Sequence, residues 1–131
     1  MKTTISSTIF ALILIGGALW FAGSRSGSTT TGTPSRDNVS VVDGVQIIDI
    51  KVKGGYEPRS TVAKAGIPTV LRFTTSGTFD CSIAVRIPSL GLGENLSMTG
   101  TLDIPIGTST PGILKGTCSM GMYGFDVDFQ N

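Results

Sequence analysis

The chain has no histidine anywhere in its 131 residues and only two cysteines, Cys81 and Cys118. A cysteine nucleophile usually works with a base, most often histidine, so that route to catalysis lacks its second component. No pair of carboxylates stands out for general acid–base work either. Two cysteines are too few for a disulfide scaffold, and their wide separation excludes a CxxC redox motif and a zinc knuckle. Charge is also scarce: 15% of residues are charged and the net charge is +1. From Val39 onward Lys and Arg nearly balance Asp and Glu, so nucleic acid has no basic patch to bind. The single tryptophan, Trp20, lies in an apolar N-terminal run, and eighteen glycines point to a turn-rich body.

That run, ISSTIFALILIGGALWFA from Ile5 to Ala22, follows Lys2 and the terminal amine. This is the layout of a secretory signal or a short anchor. As a helix it would be about 27 Å long, just under the hydrocarbon thickness of a bilayer. If it is cleaved, Ala22-Gly23-Ser24 is the best small-x-small site. If it is kept, Trp20 suits the membrane interface. Residues 1–22 are therefore expected to be a signal peptide or a transmembrane anchor, forming one hydrophobic helix. The body is then extracytoplasmic, held at the membrane face or, after cleavage, secreted or periplasmic. A buried core helix is the competing reading, but such a helix normally shows a polar face, and this run has none. Residues 23–38, GSRSGSTTTGTPSRDN, contain no large apolar side chain and read as a flexible tether.

From Val39 to Asn131 short β-type runs alternate with turn residues. Val45–Val52, Ser60–Lys64, Pro68–Thr74, Ser82–Ile87, a run within Leu96–Ile106, Ile113–Cys118 and Gly124–Phe129 read as strands. Leu90–Asn95 reads as a glycine-rich loop. About seven short strands with no amphipathic helix between them predict an all-β sandwich. An immunoglobulin domain would place a tryptophan beside its cysteine pair, and Trp20 is not in the body.

The stretch Cys118-Ser119-Met120-Gly121-Met122-Tyr123-Gly124 carries three sulfur side chains at alternate positions. Cys81 is expected to follow a loop and open a strand, and Cys118 to close one. Both would lie at strand ends, and in a sandwich these can be the same end. Thiolate and thioether are soft donors that select Cu(I) over hard divalent ions. Cys81, Cys118, Met122 and Met120 are thus the candidate metal ligands. Ag(I), Zn(II) or Hg(II) would also suit two thiolates. Asp80, beside Cys81, has the position of an acceptor behind the site, although a solvated carboxylate is the simpler reading. Tyr56 and Tyr123 read as packing residues.

Several segments resemble a cupredoxin-like domain, of the kind often described as EfeO-type or plastocyanin-like. They are Gly55-Tyr56-Glu57-Pro58, Val62–Pro68, Leu71-Arg72-Phe73, Cys81–Pro88, Pro111-Gly112 and, most specifically, Cys118–Gly124. The resemblance spans about residues 40–131 and implies a cupredoxin-like Greek-key β-sandwich. It sets Cys81 where blue-copper members have their first histidine, Cys118 at the loop cysteine and Met122 at the loop methionine. The second histidine has no counterpart, and Met120 is the nearest candidate. A blue-copper site needs two imidazoles and a thiolate, so what the resemblance implies is a thiolate–thioether site holding Cu(I). The role expected is copper sequestration, delivery or tolerance rather than catalysis. Its partners would be the membrane, through the N-terminal segment, and a copper transporter or copper-accepting protein.

The alternative is a structural or partner-binding sandwich stapled by a Cys81–Cys118 disulfide, which suits an exported domain. Closing that loop would contribute about 4 kcal/mol in the chain-entropy model. It leaves the two methionines beside Cys118 without a purpose beyond filling gaps.

Overall fold

Side chains on a strand alternate between its two faces, so a single buried stripe decides how each strand sits. The computed structural model describes residues 33–131. The expected leader, residues 1–22, lies outside them. Among the described residues no helix is long and apolar enough to cross a membrane. The strands are β1 (Val39–Val42), β2 (Val45–Val52), β3 (Tyr56–Glu57), β4 (Ser60–Lys64), β5 (Pro68–Thr75), β6 (Ala84–Ile87), β7 (Leu92–Asn95), β8 (Gly100–Thr108), β9 (Gly112–Cys118) and β10 (Gly124–Gln130). They form two mixed sheets, one ordered β1-β2-β5-β8 with β3 also on β2, the other β4-β10-β9-β6-β7. The β2–β5 and β4–β10 pairs are parallel. This is the all-β sandwich expected from the alternation.

The two inner faces meet in one core. Ile48, Ile50, Val52, Leu71, Phe73 and Ile104 come from the first sheet, and Val85, Ile87, Cys118, Phe125, Val127 and Phe129 from the second. Burying one such side chain contributes roughly 1.5–3 kcal/mol. Toward one end Tyr56, Phe73 and Phe125 pack edge to face, with centroids 5.0 Å apart for Tyr56–Phe125, 5.6 Å for Phe73–Phe125 and 6.4 Å for Tyr56–Phe73. Such offset geometry matches the ring quadrupoles. The Phe125 ring lies directly on Gly116 of β9, where a Cβ would stand 2.1 Å from Cζ.

Three features depart from the sequence reading. The break in the β2 pattern disappears because the buried stripe is Gln46, Ile48, Ile50 and Val52, leaving Val45 and Ile47 half-buried. The buried Gln46 amide is fully engaged. It donates to the Lys64 carbonyl and the Thr69 hydroxyl, each at 3.0 Å, and accepts from the Lys64 N–H at 2.9 Å. Leu90–Asn95, read as a loop, contains strand β7, which pairs with β6 after Gly91 turns the chain at φ +63°. Gly93 sits in that strand because the Arg86 side chain lies across it, 3.0 Å from where a Cβ would be. Finally, paired structure begins before Val39, within the stretch read as tether. Ser35 bridges Thr61 in parallel, its N–H donating to the Ser60 carbonyl at 2.9 Å and its carbonyl accepting from Val62 at 2.8 Å.

Gly116→Ala forces the Phe125 ring out of the aromatic cluster. The expected loss is about 1–3 kcal/mol, as for other overpacked cores, seen as a lower urea midpoint with an unchanged denaturant slope. A variant as stable as the parent would contradict this packing.

Candidate metal centre

The Cys118 arm is a tight hairpin joining β9 to β10. The Cys118 N–H donates to the Tyr123 carbonyl at 3.0 Å, and the Gly121 N–H to the Cys118 carbonyl at 2.9 Å. Gly121 holds φ at +73°, a left-handed conformation that glycine adopts without steric cost. The Thr117 hydroxyl donates to the same Tyr123 carbonyl at 2.9 Å. The Ser119 N–H donates to the Ala84 carbonyl at 2.9 Å, drawing the hairpin onto β6. The Tyr123 ring covers Gly55, with Cδ1 3.3 Å from where a Cβ would stand.

The Cys81 arm differs from expectation, because Cys81 opens a single 3-10 turn (Cys81–Ile83) and β6 starts at Ala84. Asp80 caps that turn. Its carboxylate accepts from the Ser82 N–H at 2.9 Å, from the Ser82 hydroxyl, and from the Gly54 N–H at 2.8 Å. Acceptance by Asp80 from Ser82, two residues on, is the usual way an aspartate starts a turn. The buried Tyr56 hydroxyl donates to the Ser82 carbonyl at 2.8 Å, and the buried Thr78 hydroxyl to the Val52 carbonyl at 2.6 Å. Asp80 is therefore built into the structure rather than simply solvated. Hydrogen bonds from Ser82 hold its carboxyl below the ordinary carboxylate range, against a smaller opposing effect of burial. The Gly54–Gly55 turn touches both arms, donating to Asp80 on one side and lying under Tyr123 on the other.

These supports bring the Sγ atoms of Cys81 and Cys118 to 3.2 Å from each other. Both are free thiols; Cys118 is buried and Cys81 half-buried. Met120 and Met122 are 74% and 66% exposed, so neither fills the core. Among the described residues no three His, Cys, Asp or Glu side chains cluster as a metal site would. A third ligand to an ion at the thiol pair is therefore not supplied by a clustered His, Cys, Asp or Glu of the described residues. The sequence reading offered Asp80 as an acceptor behind the site but not as the cap of the Cys81 turn, and it missed the supporting role of Tyr56. The Asp-Cys-Ser order was the available signal for the cap, whereas nothing local marks a phenol that reaches Ser82 from β3.

The two thiols lie within hydrogen-bond distance of each other, so the ionisation of one depends on the other. For Cys118 burial pushes the pKa up, but hydrogen bonds from the Tyr123 backbone, the Cys81 thiol and the Met120 and Met122 backbone outweigh it and bring it down to about 7. Cys81 moves up, first because its proton bridges to Cys118, then through burial and the charges of Cys118 and Asp80. The reduced, metal-free protein should lose its first thiol proton near neutrality and its second above the usual thiol range. A pH titration of thiolate absorbance at 240 nm checks this, and a single two-proton step in the ordinary thiol range would refute it.

The described geometry can be set beside known proteins. The family model described as cupredoxin-like domain matches residues 11–126. No curated protein sequence matches the chain. Among solved structures, one similar fold is the crystal structure of the metal binding domain of the Streptococcus pneumoniae D39 Cu(I) exporting P-type ATPase CopA with Cu(I). It is 21% identical at a TM-score of 0.68, with 76% of this chain and 100% of that one covered. Another is the solution structure of a copper binding protein in the apo form, 23% identical at a TM-score of 0.68, covering 76% of this chain and 99% of that one. At these identities the likeness is one of fold. The family match spans most of the chain and, with the two-sheet sandwich, shows that the protein belongs to the cupredoxin-like domain family.

Proposed function

We propose that this domain takes up, holds and hands over Cu(I) at the extracytoplasmic face of the membrane, through Cys81 and Cys118 with the thioethers of Met122 and Met120. The observation that carries the reading is the thiol pair at 3.2 Å, with two solvent-facing methionines in the hairpin that follows Cys118. Copper is cargo here, not a catalytic cofactor.

The donor set fits the ion. With metal–thiolate bonds of about 2.3 Å, sulfurs about 4 Å apart span a trigonal ion. The pair has less than an ångström to open. The depressed first pKa leaves one thiolate available near neutral pH, and metal binding then releases the second proton. Soft, neutral thioethers bind Cu(I) more weakly than thiolates and exclude hard ions. Their exposure lets them meet an arriving ion and release a departing one to sulfur ligands of a partner. The similar folds support copper in that one is the Cu(I)-bound domain of an exporting ATPase and the other a copper binding protein. The apolar run at residues 5–22 supports a membrane location.

Titration of the reduced protein with Cu(I) against a competing chelator tests the reading. Cys81→Ser with Cys118→Ser should abolish competition, whereas Met120→Leu with Met122→Leu should weaken it by about tenfold, as befits neutral donors. Unchanged affinity in the double serine variant would overturn the proposal.

The same 3.2 Å approach also favours a second reading, in which the two sulfurs close into a structural disulfide. Mass spectrometry of protein purified without reductant separates the two. Free thiols that carry copper support the metal site, and a quantitative bridge resistant to mild reductant supports the staple.

A further inference from the structure

The two thiols of the candidate metal centre differ in how solvent reaches them. Cys118 belongs to the core and is 1% exposed, whereas Cys81 opens a turn and is half-buried. Their sulfurs stand 3.2 Å apart. A molecule arriving from solvent therefore reaches the pair through Cys81 and finds Cys118 in contact with it.

Neither arm needs the other sulfur to keep its place. The Cys118 hairpin is held by its own main-chain bonds and by Ser119 on Ala84. The Cys81 turn is held by the Asp80 cap and the Tyr56 hydroxyl. A bond between the sulfurs asks them to close to about 2.04 Å. A trigonal ion asks them to part to about 4 Å. The free pair stands between the two arrangements and near both. Backbone groups of Tyr123, Met120 and Met122 also direct hydrogen bonds at the Cys118 sulfur, and such donors stabilise a thiolate released there.

We infer that Cys81 and Cys118 form a thiol–disulfide exchange centre, in which Cys81 meets the sulfur of an external disulfide or thiol and Cys118 resolves the linkage. In the oxidising direction the Cys81 thiolate, its proton given to water, attacks one sulfur of a disulfide RSSR. That S–S bond breaks, one RS⁻ leaves, and a mixed disulfide joins Cys81 to the other half. The Cys118 thiolate, its proton likewise given to water, then attacks the Cys81 sulfur. The second RS⁻ leaves and the bridge closes. The chain has lost two electrons and two protons, and RSSR has become two RSH. A reducing thiol runs the same steps backward, entering at Cys81 and releasing Cys118 first. The consequence for copper rests on the function proposed above: a bridged pair offers Cu(I) no thiolate, so the exchange decides whether the site can load.

The test exposes the full chain, reduced, copper-free and in neutral detergent, to glutathione disulfide, with acid quenching and mass spectrometry. The parent chain should pass to the intramolecular bridge, and peptide mapping of early quenches should place the transient glutathione on Cys81, a readout that needs no variant. Cys118→Ser should stop with one glutathione on Cys81. Cys81→Ser should take up glutathione on Cys118 at least about tenfold more slowly, as a buried thiol does, and urea should erase the difference. Dithiothreitol should reopen the parent's bridge without unfolding the domain. An early adduct on Cys118, or equal rates in the two serine variants, overturns the assignment of roles. A mixed disulfide that persists in the parent overturns resolution by Cys118. A bridge that dithiothreitol opens only after unfolding makes the pair a staple and overturns the inference. None of these readouts involves copper, so they stand or fall separately from the copper titration. Where the reduced chain competes for Cu(I), the bridged chain should not, and equal competition by both forms overturns the control of copper loading.

Discussion

Tyr56 is the residue on which the site depends. Its ring closes the edge-to-face cluster with Phe73 and Phe125, one from each sheet. Its hydroxyl emerges from that cluster to hold the Ser82 carbonyl at 2.8 Å, behind Cys81. One side chain thus transmits the position of the packed core to the turn that carries a cysteine. A buried phenol must keep its hydrogen-bond partner or lose the desolvation energy of the group. Burial first, then the neighbouring thiols and Asp80, drive its pKa upward, so it remains a donor even as a thiolate forms beside it.

The two cysteines are held by different means that meet at one turn. Cys118 is fixed by its hairpin, by Ser119 on β6, and by the Phe125 ring pressed against Gly116 two residues earlier. Cys81 is fixed by the Asp80 cap and by Tyr56. Gly54 and Gly55 lie between the arms. The rigid part of the centre is thus the thiol pair, while the thioethers stand free in solvent. Under the proposed role this divides the labour: preorganised sulfurs would set how tightly the ion is held, and exposed ones how it leaves. Preorganisation also avoids the entropic cost of assembling ligands at the moment of binding.

Much of this was legible because the relevant physics is local. Clean alternation in Pro68–Thr74 and Gly124–Phe129 marked two central strands, and the Gly-Met-Tyr-Gly context of Cys118 marked an open sulfur loop. Placing both Cys81 and Cys118 at strand ends of a sandwich allowed them to meet, and the structure brings their sulfurs to 3.2 Å. What stayed hidden depends on pairing between distant segments. β7 has little apolar pattern of its own, since main-chain bonds to β6 and the Arg86 side chain over Gly93 define it. Asp80 could be read from its place beside Cys81 as an acceptor, but its bond from Gly54, 26 residues away, could not. Ser35 sits in a run of small polar residues that gives no hint of a bridge to Thr61.

Gln46 stands at the other end of β2 from the thiols, and its buried amide bonds to Thr69 in its own sheet and to both backbone groups of Lys64 in the opposite one. A strand shifted by one residue would turn that amide to solvent and bury Val45 and Ile47 in its place, leaving the Lys64 groups without partners. Hydrophobicity opposes the shift as well, because it would also turn Asp49 and Lys51 inward and expose Ile48, Ile50 and Val52. The amide adds a directional preference to the apolar one. It acts as a key that admits one threading of the parallel pair, and with it one placement of Val52, Thr78 and the cysteine turn beyond them.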